Sequence, residues 1–102
     1  MKVREIAHCR AGDKGNTSNV SVIAYKDTDY DFIKEQLTID AVKKAYGDII
    51  KGEIERYELP KIAALNFVLY ESLGGGVTNT LNLDIHGKSL SSIMTNIDLP
   101  DR

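Results

Sequence analysis

A chain of 102 residues with 42% hydrophobic and 27% charged side chains has room for one hydrophobic core, so a single domain over 1–102 is expected and disorder is not. The net charge is −2, and Lys and Arg are scattered instead of forming a stripe, which argues against nucleic-acid binding. No run approaches the roughly 18 consecutive apolar residues that span a bilayer, and the first residues lack the apolar core of a secretory signal. The lone cysteine, Cys9, suits a reducing compartment, so the expected location is cytoplasmic and away from membranes.

In chain order, residues 2–10 read as a strand with Val3, Ala7 and Cys9 on one face and Arg4, Ile6, His8 and Arg10 on the other, Glu5 being the exception. A polar, glycine-bearing loop from Arg10 to Asn19 is expected next. Residues 20–25, dense in β-branched side chains, read as a second strand beside the first. Asp29 or Asp31 can cap a short helix running to Leu37. Thr38 can cap the following helix, in which Ile39, Val42 and Tyr46 recur at helical spacing until Gly47 stops it. Residues 53–59 read as a charged strand ended by Pro60, whose Glu53, Glu55 and Glu58 are expected to form a solvated face.

From Lys61 to Leu73 the chain is evenly apolar, and Ile62, Asn66, Leu69 and Leu73 fall on one helical stripe, so a mostly buried helix ended by Gly74-Gly75-Gly76 is expected. Thr80 to Ile85 alternates, with Leu81, Leu83 and Ile85 inward, and reads as a strand followed by a turn at His86-Gly87. Leu90, Ile93 and Met94 predict a last short helix. The order ββαβαβα predicts an α+β fold, with a single sheet of about four strands and helices packed on a face.

The most unusual stretch is 10–19. A loop of this composition can present backbone N–H groups in a concave nest, with Arg10 or Lys14 adding positive charge for a carboxylate or phosphate. Asp and Asn side chains bonding their own backbone would explain the same composition without a ligand. Asn66, amid apolar neighbours, needs a partner if buried, either a ligand or a neighbouring loop such as 74–76. The expected ligand-binding set is Arg10, Gly12, Asp13, Lys14, Gly15, Asn19, Asn66, Gly74, Gly75 and Gly76, gathered in one anion-accepting concavity for an acidic small molecule. His8 and Cys9 are adjacent in a strand and point to opposite faces, and His86 is remote, so no metal site is expected, and no cofactor. Cys9 is expected to be an inert, buried small hydrophobe.

Arg10-Ala11-Gly12-Asp13-Lys14-Gly15 with Asn19, Glu55-Arg56-Tyr57-Glu58-Leu59-Pro60, Ala64-Leu65-Asn66-Phe67-Val68-Leu69 and Gly74-Gly75-Gly76-Val77-Thr78 together resemble one family, the AtuA-like ferredoxin-fold domain. Leu37-Thr38, Leu81, Asp84, Gly87 and Lys88 extend the likeness, whereas Ala11 and Asn16 stand where that family usually has Ser and often Asp. The resemblance implies a ferredoxin-like fold and a small relative of the C-terminal domain of acyclic terpene utilisation proteins, which are linked with breakdown of such terpenes through acyl-CoA intermediates. It implies an accessory or binding subunit that pairs with a large AtuA-like protein. The alternative is a small hydratase, isomerase or hydrolase acting on a carboxylated or CoA-linked substrate at a subunit interface. Its catalytic residues are unknown, with Asp13 a candidate acid/base and Lys14 or Arg10 a charge stabiliser. Self-association is also expected, because the apolar 61–73 segment leaves surface to bury.

Overall fold

A computed structural model describes residues 1–14, 17–71 and 90–101; the side chains of Asp13, Lys14 and Asp48 lie outside that description. Four strands, β1 (Ala7–Lys14), β2 (Thr17–Ala24), β3 (Ile54–Leu59) and β4 (Ala64–Tyr70), form an antiparallel sheet in the order β1-β2-β4-β3. Helices α1 (Asp27–Gln36), α2 (Ile39–Tyr46) and α3 (Leu90–Thr95) pack on one side of it, an α+β ferredoxin-like arrangement.

The first two strands pair with each other along their full length. Pairing continues from Ala7–Ala24 out to Lys14–Thr17, so the expected loop at 10–19 is strand on both sides of residues 15 and 16. A polar strand of this kind is stable because one face alone needs apolar residues: Val20 and Val22 are buried while Asn19 is exposed. The expected strand at 2–10 is a 3-10 turn over Val3–Glu5 before β1 begins, with Val3 fully buried.

Thr38 caps α2 as expected, its Oγ1 accepting from the Ala41 N–H at 3.1 Å, and Gly47 ends the helix with a φ of 58°. Helix α1 begins earlier than expected, at Asp27, with Lys26 at the cap position and no side-chain cap bond; Asp27 and Asp29 in its first turn favour the positive end of the helix dipole.

The main correction concerns 61–73. Pro60–Ile62 is a 3-10 turn ended by Ala63 in the left-handed region, and the chain then runs as strand β4, between β2 and β3. Leu65, Phe67 and Leu69 are fully buried under the helices, and Ala64, Asn66, Val68 and Tyr70 face the other way. With strands on both sides of it, β4 carries apolar Ala64 and Val68 on its outer face as well as Leu65, Phe67 and Leu69 on its inner one, and that hides the period of two.

The core joins these sheet residues to Ile33 and Leu37 of α1, Val42 and Tyr46 of α2, and Leu90 and Met94 of α3. The Tyr46 hydroxyl donates to the carbonyl of Leu90 and so links α2 to the start of α3. The two ends of the chain meet: Val3 N–H donates to Ile97 O at 3.0 Å, Leu99 N–H to Met1 O at 2.7 Å, and Lys2 pairs with Asp98 at 3.0 Å. The expected strand at 80–85, the turn at 86–87 and the glycines at 74–76 lie outside the described residues.

Candidate functional site

Because the helices occupy one side of the sheet, alternate residues of each strand form a face on the other that is free of helices among the described residues. The strand register sets them in rows. Arg10, Ser21, Asn66 and Tyr57 make one row, one residue from each strand; Gly12, Asn19, Val68 and Glu55 make the next; His8, Ile23, Ala64 and Leu59 lie on the other side of the first.

Ser21 Oγ donates to Asn66 Oδ1 at 3.1 Å, so the partner that Asn66 requires is a hydroxyl on the adjacent strand. Glu55 Oε1 accepts from the hydroxyls of both Tyr57, at 3.0 Å, and Tyr70, at 2.8 Å. The hydrogen bond to Glu55, followed by its negative charge, holds both phenols above their ordinary pKa, so they stay protonated donors near neutral pH. The rings of His8 and Tyr25 stack with centroids 5.5 Å apart at the β1 end of the face. Arg10 is exposed and makes no ion pair among the described residues. The face is therefore aromatic and polar, cationic on its β1 side at Arg10 and anionic on its β3 side at Glu55.

Of the expected ligand-binding residues, Arg10 and Asn66 share a row, and Gly12 and Asn19 are cross-strand partners in the next, where a Cβ on Gly12 would come within 2.9 Å of Asn19 Oδ1. Over 10–14 and 17–19 the chain is paired strand, and β2, hydrogen-bonded on both sides, has its amides committed to the ladders. Asp13 and Lys14 occupy the last two positions of β1; Gly15, Gly74, Gly75 and Gly76 lie outside the described residues. The Glu55–Tyr57–Tyr70 group is absent from the sequence reading. Glu55 and Tyr57, two apart in a strand, had to share a face, but Tyr70 joins them only through the pairing of β4 with β3.

On the helix side, a groove of about 720 Å³ opens between α2 and α3 over Ala41, Ala45, Ile49 and Ile93, with Lys44 and Asp98 at its rim. Cys9 lies half-buried against the core, and burial pushes its thiol up to about 12, well away from a reactive thiolate. No group of three or more His, Cys, Asp or Glu is placed to hold a metal among the described residues, and no helix among them is long and apolar enough to cross a membrane.

These features define an α+β two-layer domain with one sheet face left open among the described residues. Over residues 1–100 the chain matches the AtuA ferredoxin-like domain, and it belongs to that family. No curated protein and no solved structure matches it.

Proposed function

We propose that this domain is a cytoplasmic accessory subunit that pairs with a large AtuA-like protein in the catabolism of acyclic terpenoid or related acyl-CoA compounds. Membership of the AtuA ferredoxin-like family supports the setting. The observation that carries the role is the open sheet face, where Tyr57 at 49% and Leu59 at 40% exposure and a carboxylate held by two phenols stand on the β3 side, and Arg10, with no ion pair among the described residues, stands on the β1 side. A face with aromatic and Arg side chains at its surface has the composition of a protein contact and not of ordinary solvated surface. Arg10, Gly12, Asn19 and Asn66 are its recognition residues in this reading, with Arg10 accepting an acidic group from whatever binds there.

The test is to produce the chain together with a large AtuA-like protein from the same genome and to follow both through affinity capture and size exclusion. A stable complex from the parent, weakened tenfold or more by Arg10→Glu with the fold retained, is the expected result. Two chains that elute separately at tens of micromolar would overturn the accessory role.

A further inference from the structure

We infer that the open sheet face is covered by the same face of a second copy of this chain, related by a two-fold axis running along the strands midway between β2 and β4. The inference rests on the reading of this face as an assembly surface and names its occupant.

Charge selects the occupant and the axis. The cation, Arg10, stands on edge strand β1 and the anion, Glu55, on the opposite edge strand β3, in adjacent rows. A two-fold axis along the strands lays β1 over β3 of the partner and β2 over β4 of the partner. Arg10 then sits above the partner's Tyr57, which shares its row, and reaches the partner's Glu55 one row on, combining a cation–π contact with an ion pair. Symmetry makes the contact twice. An axis across the strands would instead set β1 over β1 and bring the two Arg10 side chains together.

Relief agrees with charge. The β3–β4 half of the face carries the large rings, Tyr57 and Tyr70, and the β1–β2 half carries Gly12, Thr17 and Ser21. The same axis sets tall over low: Tyr70 faces the partner's Thr17, and the partner's Gly12 leaves room beside Tyr57. Ile23 and Val68, on either side of the Ser21–Asn66 pair, supply apolar surface.

The area suffices as well. Four strands about 4.8 Å apart and some seven residues long give a footprint of about 19 by 23 Å, which is roughly 450 Å² in projection on each copy. Side-chain corrugation raises the accessible area buried on the two copies above the roughly 1,000 Å² that a specific interface needs. Sheets packed in this way lie about 10 Å apart with their strands within about 30° of parallel. The helices of both copies then face outward, and a large AtuA-like protein that binds through Arg10 takes the second copy's place on the sheet face.

Sedimentation equilibrium or light scattering from 1 to 100 µM tests the inference. The parent is expected to be a dimer at tens of micromolar; Arg10→Glu alone and Glu55→Arg alone each weaken association tenfold or more. An equimolar mixture of the two single variants should regain the parent's affinity, because each copy then supplies the charge the other lacks. That rescue also excludes misfolding as the cause of the single losses. A strictly monomeric parent, or a dimer indifferent to both variants, would overturn the inference. If the parent is a monomer whose capture of the large AtuA-like protein is lost on Arg10→Glu, the second copy is wrong and the assembly face stands. If the dimer and its rescue appear but the large protein never binds, the accessory role is the part that fails.

Discussion

The guanidinium of Arg56 donates to the carbonyl of Leu37 at 3.0 Å, and with a second bond to Lys34 O at 2.7 Å it fastens edge strand β3 to the end of α1. The last carbonyls of a helix have no partner within it and carry the negative end of its dipole, so a cation whose Nη1 reaches both of them is well matched there while Nη2 stays free for a carboxylate. Its other nitrogen holds Glu58 at 3.0 Å. Arg56→Ala should cost about 2–3 kcal/mol, the range for a bond to a charged group whose loss strands buried acceptors. Arg56→Lys should recover part of this, since an ammonium lacks the fork. Urea unfolding midpoints of the three proteins check the order.

Two glycines should fail for different reasons. At Gly52 an added Cβ would lie 2.7 Å from Tyr70 O, the same carbonyl that accepts the Gly52 N–H, so the β3–β4 ladder would have to shift. Gly52→Ala should therefore cost about 1–3 kcal/mol as overpacking against backbone. At Gly47 a Cβ would meet nothing within 4 Å, but φ is 58° and ψ is −130°. Gly47→Ala should cost about 1–3 kcal/mol through strain alone. Gly47→Asn should recover little of it, because asparagine's tolerance of positive φ belongs to the left-handed helical region and not to ψ −130°, and Gly52→Asn should likewise be no better than alanine.

Helix α2 was legible because Thr38, Val42, Tyr46 and Gly47 each carry a local signal: a cap, two positions on one stripe and a stop. Strand β4 was not, because Ala64 and Val68 on its outer face are as apolar as Leu65 and Leu69 on its inner one, and only the neighbours on both sides make that pattern a strand. At the site, Arg10, Asn19 and Asn66 stood out as polar residues among apolar ones. Their common face depends on the register Arg10–Ser21–Asn66, a tertiary fact that no spacing along the chain encodes.

The fold should lose stability in mild base. In the unfolded chain the Cys9 thiol ionises near 9.0, and in the fold burial moves it to about 12. Below pH 8 both states are protonated and the thiol adds no pH dependence. Between pH 9 and 12 the unfolded state releases a proton that the folded state keeps, so stability falls, by at most about 1.4 kcal/mol per pH unit from this group. Tyr46, raised by burial and then by the charge of Cys9, acts in the same direction above pH 10. Melting temperatures from pH 7.5 to 10.5 should decline, and Cys9→Ala should flatten the first part of the decline. Labelling of the native protein by a thiol reagent at pH 7.5 should be slow and should accelerate on adding urea.

Removing residues 97–102 should lower the melting temperature by more than about 10 °C, because Ile97 and Leu99 are buried and a kilocalorie shifts a domain of this size by about 4–8 °C. Removing only 101–102 should change it little, since Asp101 is exposed and holds only the terminal amine, at 3.3 Å.

The meeting of Met1 with Leu99 also fixes an order of events in time. The hairpin of β1 with β2 closes over a handful of residues, the pairing of β2 with β4 must gather segments some 45 apart, and the bond from Leu99 N–H to Met1 O spans 98. Loop-closure entropy grows only with the logarithm of length, so this last clasp is not costly for its span. What delays it is its footing: Val3 has to be seated beside β1, and Ile97 beneath α3, before the two ends lie side by side. The clasp should form last and open first, and amide exchange at Val3 and Leu99 should outpace exchange at Val20 and Phe67 under conditions where the sheet stays intact.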